Sequence, residues 1–412
     1  MSTTETHPPL LDRVLAGERQ QEATRVGEGI YLSEDVSSSY LVTTREGNVV
    51  INTGLKGGPR HKAFYAKVSA APLKFIILTQ SHIDHIGGIA ALREPDTEII
   101  AQKHIHAQLW YQSKLQPFFT RRTHQLWRRF VGDLDGLRDV KPDVLFDDSY
   151  AFELGGRRFE LYAAPWGETE DSCIVWLPQD RTLFVGNFWG PVYMSVPYFS
   201  TIRGDKIRPV YAFLQSLDRI IALKPDLILT GHGERIEGAE RIAADLAKLR
   251  AAVSWLVEET FAGMNGGKDV HTLMAEIKLP EHLRLREAHG SVRWAVRAIW
   301  EQHVGWFHYD ATTSLYEVPA ARVAPDLIEL AGGSGPLVAR AHAHIASGKP
   351  LEALHLLNVV LAASPDDRDA LEANLAAHRL LLSLASGENF SEVSWLESQI
   401  QDTEDRVKRL AV

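Results

Sequence analysis

Short apolar runs separated by turn residues dominate the first half of the chain. Ile30-Tyr31-Leu32, Ser39-Tyr40-Leu41-Val42 and Val49-Val50-Ile51 read as strands, and Pro72–Thr79 reads as a longer, buried one. Further strands are predicted near Glu98–Ala101, Arg158–Ala163, Cys173–Leu177, Thr182–Val185 and Asp226–Thr230, with helical periodicity between some of them, as in Val210–Leu223. Strands mixed with helices in this way predict a layered α/β domain. The pattern changes after Gly238. Ala239–Phe261 is one long amphipathic stretch, and from Leu283 onward nearly every segment has a helical period. There, Ser334–Leu361 and Arg368–Leu384 read as paired helices joined at Ala363-Ser364-Pro365-Asp366. The expected division is a polar lead-in over 1–25, an α/β domain over 26–250 and an all-α domain over 251–412.

Composition narrows the class. A chain with 45% hydrophobic and 24% charged residues is not a disordered one. Its longest purely apolar runs, such as Phe75-Ile76-Ile77-Leu78, are far short of the roughly 20 residues that a membrane helix needs. No basic segment leads into an apolar stretch near Met1, so a cytoplasmic location without a membrane partner is the expectation. Cys173 is the single cysteine, which excludes an intrachain disulfide and a cysteine-rich zinc site, and its strand pattern places it in a core. The 44 basic and 53 acidic residues give a net charge of −9, which argues against a nucleic-acid partner. Arg121-Arg122 and Arg128-Arg129 around Trp127 therefore read as a solvated face. His104-x-His106 and His342-x-His344 have ligand-like spacing, but nothing near them in the sequence completes a site.

The segment that carries chemistry is Leu78-Thr79-Gln80-Ser81-His82-Ile83-Asp84-His85-Ile86-Gly87-Gly88. Three side chains of metal-ligand type fall within four residues just past a strand end, where a loop can aim them at one point. The two glycines would let the backbone turn close to the ion. His232, in Leu229-Thr230-Gly231-His232-Gly233, also follows a short apolar strand. Together these predict a metal site.

That segment resembles the His-x-His-x-Asp-His signature of the metallo-β-lactamase superfamily, and Ile51-Asn52-Thr53-Gly54 resembles its upstream Asp-Thr-Gly. Gly290–Trp300 with Gly305-Trp306-Phe307, and Gly348–Asn358 followed by Pro365-Asp366, are similar to the dimerisation domain of the alkylsulfatase branch. The resemblance implies an αββα sandwich followed by a helical dimerisation domain, and a two-zinc hydrolase of alkyl sulfate esters. His82, Asp84, His85 and His232 match the family's ligands, while Gln80 stands at the first histidine of the signature. Glu168, in Pro165-Trp166-Gly167-Glu168, falls at a ligand glutamate, with Glu170 and Asp171 close enough to compete. Asn187 falls at the glutamate that bridges the two ions. Arg203, in Thr201-Ile202-Arg203-Gly204, inherits the sulfate-contacting arginine, and Tyr198 stands at an asparagine shortly before it. The branch also carries a C-terminal lipid-carrier-like domain, which this chain, ending at Val412, is expected to lack.

The departures alter the chemistry. Two divalent ions about 3.5–4 Å apart repel by roughly 19 kcal/mol at an effective dielectric of 20, and negative ligands must offset that. The neutral Gln80 and Asn187 leave Asp84, Glu168 and a hydroxide to do so. One ion held by Asp84, His85 and His232 with a hydroxide is balanced. The expectation is one tight zinc ion, with a second position around Gln80, His82 and Glu168 weak or empty. Asp84 would act through that ion and Glu168 as general base in cleaving a sulfate ester or a related activated C–O bond. Arg203 offers a planar fork for an anion. Aromatic residues from Leu109-Trp110-Tyr111 through Phe118-Phe119 to Trp127, with Trp166, Phe188, Trp189, Tyr193, Tyr198 and Phe199, suggest an aromatic small molecule, the alternative being that they are ordinary core. The branch is also associated with activated aryl ethers such as nitroanisoles. Rival readings are a lactonase or β-lactamase-type acyl hydrolase, and a catalytically reduced subunit that assembles with an active homologue. The helical domain is expected to form a homo-oligomer, or a hetero-oligomer with a related subunit.

Overall fold

The computed structural model describes residues 9–127 and 140–410, so Arg128 and Arg129 lie outside the described residues. The strand-like half folds into two sheets. The first runs β1 (Thr24–Gly27), β2 (Ile30–Glu34), β3 (Ser38–Thr44), β4 (Gly47–Ile51), β5 (Leu73–Ile77), β6 (Glu98–Gln102) and β7 (Val144–Phe146) in spatial order. Hairpins make β1–β4 antiparallel, and the helical crossovers make β4–β7 parallel. The second contains β8 (Ser149–Leu154), β9 (Arg157–Ala163), β10 (Cys173–Leu177), β11 (Thr182–Gly186), β12 (Leu227–Thr230) and β13 (Arg235–Glu237), in the order β13-β12-β11-β10-β9-β8. Only the β11–β12 pair is parallel among them.

The helices of this half are α1 (Pro9–Arg19), α2 (Gly58–Val68), α3 (Ile83–Ile86), α4 (Ile89–Leu92), α5 (Ile105–Lys114), α6 (Gln116–Trp127), α7 (Val210–Leu223), α8 (Ala239–Asn265), α9 (Val270–Glu276) and α10 (Val292–Val304). Alternate strand residues meet between the sheets: Val42, Val49, Ile51, Ile77 and Ile100 face Phe159, Leu161, Val175, Phe184 and Leu229. The other face of the first sheet packs Val50, Ile76 and Ile99 against Tyr65, Ile86, Leu92, Ile105 and Leu109 of the helices. Along the second sheet, α8 packs on β12 and β13, and α7 packs on α8. The result is the αββα sandwich that the resemblance implied.

Helix α1 crosses the segment expected to be a loose lead-in. Leu10 and Val14 are buried, and Arg13 pairs with Glu234 at 3.0 Å. The compact unit of the sandwich extends to Gln302, rather than to the residue 250 expected from the change in periodicity, because α8–α10 belong to it.

The helical unit comprises residues 303–410 with the end of α6, where the Trp127 ring lies 4.5 Å from that of Phe390. Its helices are α11 (Ala324–Leu330), α12 (Ser334–Ala346), α13 (Pro350–Ala363), α14 (Arg368–Leu384) and α15 (Phe390–Leu410). Residues 334–361, expected as one helix, are two. Gly348 takes a φ of 71°, which ends α12, and Pro350 starts α13 without the amide it lacks. Val338, Ala341, Ala353, Leu357, Ala370 and Ala377 close the core of α12–α14. Trp306, Tyr309 and Leu330 are exposed. No helix of the described residues is long and apolar enough to cross a membrane.

Candidate metal centre

The loops at the C-terminal ends of β4, β5, β11 and β12 meet at one end of the sandwich. Asn52, in the left-handed region at φ 57°, bonds the amide of Thr79 through Oδ1 at 2.9 Å and so joins the ends of β4 and β5. Thr53 donates from its amide to the His85 carbonyl at 2.8 Å. Gly87 and Gly88 have ordinary helical φ values, so a backbone turn is not what requires them. A Cβ on either would strike the carbonyl of Leu55 or Thr53, so their small size lets α3 approach the 53–55 loop. That is the physical reason for the glycine pair that the sequence placed beside an ion.

Asp84, His85 and His232 present ligand atoms within 4.8 Å of one another. Asp84 Oδ2 lies 3.3 Å from His85 Nε2 and 3.8 Å from His232 Nε2. His232 Nδ1 lies 2.7 Å from the Val36 carbonyl, a contact that puts the proton on Nδ1 and leaves the Nε2 lone pair facing Asp84. Gly231 lets the β12 loop close over the group, since a Cβ there would lie 2.2 Å from Asn187 Oδ1 and 2.9 Å from His85 Cε1.

Electrostatics favour a cation here. Burial opposes ionisation of Asp84, but His85, His232 and His82 outweigh it and hold the carboxyl below the usual range. Burial pushes His85 down to about 4 against the pull of Asp84, and it lowers His232 in the same way. Both imidazoles are thus neutral at neutral pH, the form a metal ligand needs. The two ring nitrogens of His85 and Asn187 Oδ1 are buried without a hydrogen-bond partner. An ion at this point would satisfy such atoms, so the residues fit one divalent cation.

The neighbouring position differs. Gln80 Nε2 lies 3.2 Å from His82 Nδ1, and Glu168 Oε1 lies 3.4 Å from the same nitrogen. Glu168 Oε1 also accepts from Arg208 Nη2 at 2.9 Å, and its Oε2 has no hydrogen-bond partner. His82 Nε2 lies 3.3 Å from Asp205 Oδ2 and 3.2 Å from Arg203 Nη2. The Tyr111 hydroxyl donates to Asp205 Oδ1. Burial opposes ionisation of Asp205, but the His82 hydrogen bond with the charges of His82, Arg203 and Arg208 holds it well below the carboxylate range. Asp205 and Arg208 were not anticipated. Both lie in the mixed-charge segment Gly204-Asp205-Lys206-Ile207-Arg208-Pro209, and sequence offers nothing that separates them from surface residues.

Of the competitors to Glu168, Asp171 accepts from Ser81 at 3.0 Å, and Glu170 accepts from Gln108 and Lys206 at 3.2 and 2.9 Å. Tyr198 is buried. Its hydroxyl accepts from the Ile202 amide at 2.8 Å, and its ring stacks 5.4 Å from Trp294. It therefore supports the turn that carries Arg203. Arg122 holds the same turn, donating to the carbonyls of Ile202 and Arg203 at 2.7 Å each.

A cleft lined by Leu55, His82, Ile83, Asp84, Tyr111, Phe119, Arg203 and Asp205 opens onto the centre. The aromatic residues divide accordingly. Tyr111 and Phe119 face the cleft, Trp110 and Phe118 are exposed, and Phe188, Trp189 and Phe199 are core. Cys173 is also core, with Sγ 3.3 Å from the Leu78 carbonyl. His104 lies 3.4 Å from Glu170, and His106 and His342 are exposed.

The metallo-beta-lactamase superfamily model matches residues 32–232, and the alkyl sulfatase dimerisation model matches 269–390. A linear primary-alkylsulfatase of Pseudomonas sp. is 28% identical over 371 residues, covering 83% of this chain and 69% of that protein. An alkyl/aryl-sulfatase of Saccharomyces cerevisiae is 22% identical over 342 residues, covering 76% and 52%. The chain thus spans about two thirds of the one relative and about half of the other. Among solved structures, the stereoselective inverting sec-alkylsulfatase from Pseudomonas sp. superposes with a TM-score of 0.83 at 19% identity, covering 98% of this chain and 69% of that one, a likeness of fold. Both domain models match in this order, so residues 32–232 form a metallo-beta-lactamase superfamily domain and residues 269–390 an alkyl sulfatase dimerisation domain, the arrangement shared with the alkylsulfatases to which the chain is similar.

Proposed function

We propose that the chain is a zinc-dependent hydrolase that cleaves a sulfate ester or a related activated C–O bond of a small molecule, with one ion held tightly per chain. The observation that carries this reading is the convergence of Asp84, His85 and His232, with buried atoms of His85 and Asn187 left unpartnered beside an open cleft. An ion in this place would supply a Lewis acid and a water whose pKa falls to about 7. Glu168 keeps Oε2 free of hydrogen bonds while Arg208 fixes Oε1, which suits it to accept the proton of the attacking water. Arg203 lines the cleft and would orient a sulfate or another planar anion, with Tyr198 holding its turn.

An activated aryl ether is the second reading. It is favoured by Tyr111 and Phe119 in the cleft and by the pairing of Arg203 with Asp205 at 3.8 Å, which leaves less positive charge for a sulfate. The dimerisation domain and the exposed Trp306, Tyr309 and Leu330 support assembly through the helical unit, with a second copy or with a related chain. The test pairs elemental analysis with turnover of 4-nitrophenyl sulfate and 4-nitroanisole. One zinc per chain is expected, together with product release that Asp84→Asn abolishes. A zinc-loaded chain that turns over neither class, alone or with a related chain added, would overturn the hydrolase reading.

A further inference from the structure

Of the side chains expected to hold a second ion, His82 on both nitrogens and Glu168 through Oε1 are engaged by the protein's own groups, while Glu168 Oε2 keeps no hydrogen-bond partner. Arg208 is 3% exposed; it donates from Nη2 to Glu168 Oε1 at 2.9 Å and from Nη1 to the Tyr198 carbonyl at 2.7 Å. Its guanidinium therefore lies against the carboxylate that an ion would need. His82 is engaged on both nitrogens: Nε2 by Asp205 and Arg203 at 3.3 and 3.2 Å, and Nδ1 by the Gln80 amide nitrogen at 3.2 Å. Tyr111 completes the network by donating to the other oxygen of Asp205.

Charge counting points the same way. Among the carboxylates and guanidiniums alone, Asp84, Glu168 and Asp205 stand against Arg203 and Arg208 and leave one negative charge. One divalent ion with a hydroxide brings this cluster to zero. A second divalent ion would leave it at plus two, in surroundings where uncompensated charge is expensive. Asp171 is hydrogen-bonded to Ser81 and acts on His82 and Tyr111 only through space.

We propose that an internal ion-pair network closes the Gln80–His82–Glu168 position to a divalent ion, with Arg208 neutralising Glu168 and Asp205 tying His82 to Arg203. This rests on the single-ion reading above and assigns its cause. Arg208 and Asp205 are then positioning residues that set the number of ions.

The experiment is a calorimetric titration of the metal-stripped full-length chain with zinc, checked by elemental analysis after gel filtration. The wild type takes one equivalent. Arg208→Gln takes a second, tighter by about 10-fold or more than any second binding to the wild type. The double variant Arg208→Gln with Glu168→Gln returns to one. Asp205→Asn frees His82 without touching the buried pair, so it also tightens the second equivalent, and it decides the matter if Arg208→Gln does not fold. One equivalent in every folded variant overturns the proposal and leaves the single-ion reading standing. Two tight equivalents in the wild type overturn the single-ion reading and the proposal with it.

Discussion

Asp35→Ala removes an acceptor that three consecutive amides share. Asp35 Oδ2 takes hydrogen bonds from the backbone of Leu55, Lys56 and Gly57 at 2.8, 2.9 and 2.7 Å. The segment it anchors also reaches the centre: the Val36 carbonyl meets His232 Nδ1, the Ser37 hydroxyl donates to the Asp84 carbonyl, and the Ser38 amide donates to the Gly231 carbonyl at 2.7 Å. A hydrogen bond to a charged group contributes about 1.5–3 kcal/mol. Lys56 is exposed and its amide can turn to water, so the other two bonds dominate, and the loss comes to about 4 kcal/mol. For a unit of this size that is roughly a 10 °C fall in Tm. Asp35→Asn keeps an oxygen in place without the charge and should lose about half as much. Because the loop carries the partner of His232, zinc affinity should also fall by about 10-fold. Thermal denaturation of the metal-stripped chain and calorimetry with zinc measure the two effects separately. An alanine variant that melts with the wild type and binds zinc as tightly would show that other contacts hold the loop, and the reasoning would fail.

Three further outcomes follow from the geometry. His61 is buried, and burial, only partly offset by Asp35, pushes its imidazole down to about 4, so the folded state refuses a proton that the unfolded chain accepts near pH 6.5. Its contribution is therefore intact above about pH 6.5 and is lost at up to about 1.4 kcal/mol per unit as the pH falls toward 4. Urea midpoints across that range should decline less steeply in His61→Gln, and parallel declines would refute the assignment. Phe213 stacks 5.0 Å from Phe188 and meets Phe199 edge-on at 5.4 Å, so Phe213→Ala should cost about 3–5 kcal/mol in urea unfolding, and a near-wild-type midpoint would contradict its place in the core. Burial pushes the Cys173 thiol up, so a thiol reagent should label it only after denaturant is added, and rapid labelling of the native chain would argue against that burial.

Local chemistry was legible in the sequence and distant pairing was not. The strands of the inter-sheet core announce themselves because runs such as Val49-Val50-Ile51 bury both faces, one against the other sheet and one against helices. Strand β8 did not, since every second residue faces solvent, and β13 is only three residues long. Helix α1 hides in a polar sequence because only Leu10 and Val14 need to be buried. At the centre, His82, Asp84 and His85 lie on one short loop after a strand, and His232 repeats that placement, so periodicity and residue type suffice to single them out as candidates, of which the fold gathers Asp84, His85 and His232. The partners that define the neighbouring position are 40 residues apart for Arg208 and Glu168, and 123 for Asp205 and His82. No spacing rule connects charges so far apart. Only folding brings them together.

Asp84 and His85 follow β5 in one sheet, while His232 follows β12 in the other. A cation shared by the three would act as a clasp across the two leaves of the sandwich, anchored at one rim and absent from the opposite one. The affinity of the centre would then also be a mechanical property of the fold. Loading should slow backbone exchange at the ends of β5 and β12 together and leave the far ends of the same strands unchanged, so that the rim bearing the chemistry becomes the stiffest edge of the molecule.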